Sequence, residues 1–195
     1  MKPTQILATA VIGALIGAVT GFGIKYFGED DSTAAAESKV AIAALATVPD
    51  FDYPDLEGRM RSAREWRDDI MVLNFWAAWC PPCREETPLF VELQEEYARN
   101  NVRFIGIAID DLEPVREFAE SYGIQYPVLL GDLGAVGLSK QLGNRFEGLP
   151  FTIVADPGGN VILRHQGGIS RDQLEPVLQT AIKRYQRKFG TPERI

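Results

Sequence analysis

Cysteine and histidine are almost missing from this chain: two cysteines and one histidine in 195 residues. Two cysteines cannot build a framework of structural disulfides. Without a second cysteine pair or a histidine pair, no tetrahedral zinc site can be completed, and no metal is expected. Positive charge is also scarce. Lys and Arg number 20 against 27 Asp and Glu, a net charge of −7. That is the wrong sign for gripping a phosphate backbone, so nucleic acid is not expected as a partner. What remains is ordinary for a globular protein, with length enough for one domain, a buried core and some chain to spare.

Charge is missing altogether from residues 6–24, ILATAVIGALIGAVTGFGI. At about 1.5 Å per residue this run reaches roughly 28 Å, close to the hydrocarbon thickness of a bilayer. It lacks the polar positions at helical period that a soluble helix would show, so one transmembrane helix is expected. Gly13, Gly17 and Gly21 form a small-xxx-small stripe that could pair two such helices into a homodimer. The general abundance of glycine in membrane helices accounts for the stripe equally well. Lys2 precedes the run, while Lys25 and then Glu29, Asp30 and Asp31 follow it. This arrangement keeps the start in the cytoplasm and puts the rest outside, facing the periplasm from a bacterial inner membrane. Ala34-Ala35-Ala36 resembles a signal-peptidase site, but a polar stretch separates it from an overlong apolar region. An uncleaved signal anchor is therefore preferred. The expected division is an anchor at 1–28, a linker at 29–48, a domain at 49–188 and a tail at 189–195.

Within the domain the pattern alternates as in α/β proteins. Phe51–Leu56 and Arg59–Arg61 flank a turn at Glu57-Gly58, a β-hairpin. Ile70–Trp76 is a near-continuous apolar run, the mark of a strand buried on both faces. A helix is expected from Pro82 to Arg99, with Leu89, Leu93 and Tyr97 on one face. Pro88 should kink it by removing the bond to the Arg84 carbonyl. Strand Val102–Ile109, helix Leu112–Tyr122, strand Tyr126–Leu130 and helix Leu133–Leu142 follow. Strands Phe151–Ala155 and Val161–His165 are joined by the turn Asp156–Asn160. The last helix begins at Ser170, with Gln173 placed for a capping box, although Pro176 fits poorly inside it.

The two cysteines lie where the first buried strand gives way to a helix. At a helix amino terminus, unpaired N–H groups and the positive dipole end stabilise a thiolate. Cys80 is thereby the expected attacking thiol. Cys83, one turn on, is the expected resolving thiol that closes the redox-active disulfide. Pro82 suits a first helical turn because its missing N–H had no partner there.

The segment Asn74-Phe75-Trp76-Ala77-Ala78-Trp79-Cys80-Pro81-Pro82-Cys83 resembles the active-site segment of thioredoxin-fold proteins. It is most similar to that of the TlpA/ResA-like family of membrane-anchored thiol–disulfide oxidoreductases. Glu86 and Pro88 complete that family's Cys-x-x-Cys-x-x-Glu-x-Pro, and Gly148-Leu149-Pro150 is similar to its cis-proline loop. The likeness spans about residues 49–185. It implies a thioredoxin-like fold, a central mixed sheet flanked by helices, with an amino-terminal hairpin and a central insertion between about Asp110 and Leu130. It also implies a cis Pro150 facing the cysteines, with Trp79 and Leu149 on the surface that meets a substrate. Glu86 would modulate the thiols and relay a proton; otherwise it is a solvated helix glutamate, as Glu85 is expected to be.

The family resemblance further implies a reductase of extracytoplasmic protein disulfides, re-reduced by a membrane electron donor and needing no cofactor. Cytochrome c maturation and copper-site preparation are tasks of such proteins. One departure stands out: thioredoxin has a buried aspartate where this chain has Asn74, and an amide cannot accept the resolving thiol's proton. Two other readings compete. A copper-binding protein of this fold would use the dithiol with His165, but the two-residue spacer argues against it. A thiol peroxidase would need Pro-x-x-x-Thr/Ser-x-x-Cys, and the residues before Cys80 do not supply it. His165, at a strand end, is expected to be structural.

Overall fold

The computed structural model describes residues 46–190. The apolar run 6–24, its glycine stripe and most of the linker and tail lie outside them. Among the described residues, no helix is long and apolar enough to cross a membrane.

The domain opens with the hairpin. Strands β1 (Asp52–Pro54) and β2 (Met60–Ser62) pair antiparallel. The turn is built by Asp55, whose Oδ1 accepts from the N–H groups of Glu57 (3.1 Å) and Arg59 (2.9 Å). Gly58 supplies the left-handed backbone the turn needs, φ +78°. The folded unit reaches back further than the sequence suggests. Thr47 bridges to Asn160, and Val48 is buried with its N–H on the Gly159 carbonyl at 2.8 Å. These two residues of the expected linker therefore pack with the domain.

Five strands form the main sheet in the order β5-β4-β3-β6-β7. They are β3 (Ile70–Trp76), β4 (Val102–Ala108), β5 (Val128–Leu130), β6 (Phe151–Ala155) and β7 (Val161–Gln166). β3 pairs parallel with β4 and antiparallel with β6, so the sheet is mixed. Every residue of the central β3 is buried, as its unbroken apolar pattern requires. Its side chains alternate between two cores. Ile70, Val72 and Trp76 face the core shared with helices α1 (Pro81–Tyr97), α2 (Leu112–Tyr122) and α4 (Arg171–Phe189). Met71, Leu73 and Phe75 face the core shared with the hairpin and with α3 (Asp132–Gln141). Asn74 has the parity of the first face, so a polar side chain is delivered into the α1 side of the sheet.

The segment expected to be inserted closes a β4–α2–β5 unit with parallel strands, placing β5 at the sheet edge. β5 starts at Val128 rather than Tyr126 because Pro127 has no N–H to give to the ladder; its carbonyl instead accepts from Gly106 N at 2.9 Å. Both helical prolines are accommodated without a break. Pro88 and Arg84 are exposed on α1, and Pro176 and Asp172 are exposed on α4. The carbonyls these prolines leave unpaired thus lie on the solvent side, where water can satisfy them.

Candidate active site

Where β3 ends, Ala77-Ala78-Trp79 carry the chain to Cys80, which caps α1 with extended backbone (φ −86°, ψ 110°). Pro81 and Pro82 fill the first two helical positions. Neither has an N–H, so the first free amide donor of the helix belongs to Cys83. It points at the Cys80 sulfur, 3.3 Å away. Arg84 N follows, donating to the Cys80 carbonyl at 3.2 Å. The sulfur that sequence reasoning assigns as nucleophile therefore receives the helix's leading amide. Cys80 and Cys83 are joined as a disulfide, S–S 2.06 Å with Cα atoms 5.3 Å apart. Both are almost wholly covered, whereas Trp79 beside them is 66% exposed.

The approach to Cys80 is clamped on both sides of one residue. Ala78 N–H donates to Asp110 Oδ2 (3.0 Å), and its carbonyl accepts from Arg84 Nη1 (3.1 Å). The Arg84 guanidinium also lies over the Phe118 ring, 5.7 Å from its centroid. Trp79, Arg84, Asp110 and Phe118 line a groove of about 510 Å³ alongside the disulfide segment.

The Leu149–Pro150 peptide is cis. Pro150 is buried and Leu149 half-buried. The next residue, Phe151, is registered against Phe75 at the end of β3 that leads to Cys80. The proline loop and the cysteines thus meet at the same end of the sheet. The Pro150 carbonyl accepts from Gly167 N at 2.8 Å, tying this loop to the one between β7 and α4.

Glu86 is not a solvated glutamate. It is 5% exposed, on the α1 face one turn beyond Cys83. Its Oε1 accepts from Asn74 Nδ2 (2.8 Å) and its Oε2 from Ile169 N (3.0 Å). Burial pushes its pKa up to about 7, against the pull of those two hydrogen bonds. Asn74 Nδ2 also donates to Thr152 Oγ1 at 3.2 Å. The Asn74 departure now has a physical account. The titratable group sits on the helix, and the strand supplies the amide that holds it. Glu85 is exposed, as expected.

Several members of this site escaped sequence reasoning: Thr152, the Ile169 N–H, Asp110, Arg84 and Tyr126. Tyr126 is buried, and burial first, then the charge of Glu86, raises its pKa. A polar Thr152 inside an apolar strand was the one visible signal among them. His165 is half-buried on β7, opposite Thr152, with Nε2 3.1 Å from the Gly168 carbonyl.

Comparison with known proteins places this geometry. Residues 45–167 match the AhpC/TSA family. Thiol-disulfide oxidoreductase ResA of Bacillus anthracis is 30% identical over 181 residues, 92% of this chain and 98% of that relative. The chain belongs to the AhpC/TSA family, in its TlpA/ResA-like branch. Thiol-disulfide oxidoreductase ResA of Geobacillus thermodenitrificans is 29% identical over 182 residues, covering 92% of this chain and 97% of its own. Among solved structures, a thiol:disulfide interchange protein of the thioredoxin family from Chlorobium tepidum TLS is similar at TM-score 0.65 and 28% identity. It covers 70% of this chain and 96% of that one. With its disulfide at the start of α1, this TlpA/ResA-like chain is a thiol–disulfide oxidoreductase of thioredoxin-like fold.

Proposed function

We propose that the chain reduces disulfides of extracytoplasmic proteins. The observation that carries disulfide exchange at this site is the Cys83 amide aimed at the Cys80 sulfur at the head of α1; the direction, toward reduction of the client, rests on the likeness to the TlpA/ResA-like family. In the dithiol form the same amide and the helix dipole stabilise a Cys80 thiolate. That thiolate attacks one sulfur of a client disulfide; a Cys80–client bond forms and the client's other sulfur leaves as a thiolate. Cys83, deprotonated, then attacks Cys80, closes the 80–83 disulfide and releases the second client thiolate. Two electrons pass to the client, whose sulfurs take up two protons. Glu86, one turn from Cys83 and titrating about neutrality, is the group we assign to accept the Cys83 proton. Trp79, Leu149 and Pro150 form the surface on which the client chain is laid.

The dithiol is regenerated when a membrane electron donor passes two electrons to the Cys80–Cys83 disulfide, and residues 6–24 anchor the domain to the outer face of the inner membrane. The uncharged run at 6–24, roughly 28 Å long as a helix, supports the anchor. Gly13, Gly17 and Gly21 would be the contact if two anchors pair.

The test is reduction of insulin and of other disulfide-bonded proteins by the full-length chain, with Cys80→Ser as control. Wild type should turn over and the variant should not; equal inactivity of both on every partner contradicts the reading. Glu86 is tested apart from this. Glu86→Gln should alter the pH dependence of Cys80 alkylation, and an unchanged profile would show that Glu86 does not influence the thiol pair.

A further inference from the structure

Glu86 takes its second hydrogen bond from a peptide, and that peptide has a donor of its own. The Gly168–Ile169 peptide presents its N–H to Glu86 Oε2 at 3.0 Å and its carbonyl to His165 Nε2 at 3.1 Å. A carbonyl can only accept, so the ring nitrogen facing it carries the hydrogen. Ring N–H, amide and carboxyl therefore stand in one chain of hydrogen bonds. Donation to an amide oxygen draws electron density from its nitrogen and makes the amide N–H a stronger donor.

The peptide is held in place by its neighbours. Gly167 N is bound to the Pro150 carbonyl. Gly168 sits beside the first turn of α1, where a Cβ would make ordinary van der Waals contact with Pro82 at 3.8 Å. Ile169 is buried. The partner of His165 across the β6–β7 ladder is Thr152, whose hydroxyl already belongs to the Asn74–Glu86 network.

We propose that His165 is a positioning residue of the exchange site: through the Gly168–Ile169 peptide, its ring N–H sets the donor strength felt by Glu86 and so the balance between acid and carboxylate. This deepens the role given to Glu86 and rests on that role for its catalytic consequence. The other groups facing Glu86 are Asn74 from β3 and Tyr126 from the segment before β5, with Cys83 one turn back on α1. With the disulfide closed, Tyr126 is the one among these that titrates, and a change at position 165 leaves it in place.

The experiment follows the Glu86 carboxyl carbon by NMR through a pH titration of the oxidised full-length protein, in wild type, His165→Leu and His165→Gln. Leucine removes the donor. The Glu86 midpoint should rise by about 0.3 pH unit, roughly a twofold loss of acidity, and the Ile169 amide proton should move upfield. Glutamine carries an N–H that can reach the same carbonyl and should restore both readings. The proposal is overturned if the leucine variant titrates as wild type does, or if glutamine shifts Glu86 as far as leucine does. Should the leucine variant fail to fold, the wild-type ring tautomer decides: hydrogen on Nε2 supports the chain, and hydrogen on Nδ1 alone overturns it. The readout is the acid itself and not turnover. A failure here is thus distinct from a failure of the Glu86→Gln alkylation test.

Discussion

A single buried carboxyl separates this site from an ordinary helix-start disulfide. Glu86 holds its proton to about pH 7 in the folded chain, whereas its ordinary value is 4.5. Between those values the native state binds more protons than the unfolded state, so stability must fall as pH rises through that window. The full cost, reached above pH 7, is at most about 3.5 kcal/mol, since each pKa unit is worth about 1.4 kcal/mol. In urea unfolding of the oxidised protein from pH 4 to 8, wild type should therefore lose stability relative to Glu86→Gln as pH rises. The glutamine does not come free, because Asn74 and Ile169 donate to different oxygens of Glu86 and in glutamine one of those positions becomes an NH2 donor. Parallel profiles for the two proteins would show that Glu86 has the same pKa in the folded and unfolded chain. At this scale the sequence was informative wherever the chemistry is local. Cys80, Cys83 and Glu86 fall within two turns of one helix; the helix-start position singles out the two thiols, and the family resemblance adds Glu86. Ile169 stands 83 positions from Glu86, and no periodicity carries information across that separation.

Elements were legible where pattern and punctuation agree. β3, α2 and β6 begin and end where apolar runs and their breakers place them. The start of α4 follows Ser170 despite Pro176, because proline on an exposed face costs the helix a bond that water can replace. What stayed hidden was register. That β3 and β6 run antiparallel, with Asn74 opposite Thr152, decides which polar side chains meet, and strand pairing is not written in either strand alone. The cap of α4 also bears on the site, because it fixes the residue just after Ile169. Gln173 Oε1 accepts from the Ser170 N–H (2.9 Å) and hydroxyl (3.1 Å). Gln173→Ala should lower stability by about 0.5–1 kcal/mol and loosen the Ile169 amide, measurable as faster hydrogen exchange at that position. Unchanged exchange would show that the loop is held by Gly167 and His165 alone.

For the whole molecule, the sheet does the assembling. Its central strand ends at the cysteines, its antiparallel neighbour begins at Pro150, and the loop after the edge strand β7 closes over Glu86. Three stretches far apart in sequence thereby converge at one end of the sheet. The sequence carries the hairpin turn, the dithiol motif, the proline loop and the capping box as separate motifs, with nothing that joins them. The clamp on Ala78 and the bracket at Gly167–Ile169 arise from contacts between elements. The same convergence places a buried carboxyl with a pKa of about 7 one turn from Cys83 in a TlpA/ResA-like chain that has Asn74 on the strand where thioredoxin has an aspartate.

The central claim is that this pair gives electrons to its clients, and the measurement that bears on it most directly is the reduction potential of Cys80–Cys83 in the full-length protein, equilibrated against a thiol buffer of known poise. The account predicts a reducing value, in the neighbourhood of the about −270 mV typical of thioredoxin. A value close to the about −120 mV of strong periplasmic oxidants would contradict it.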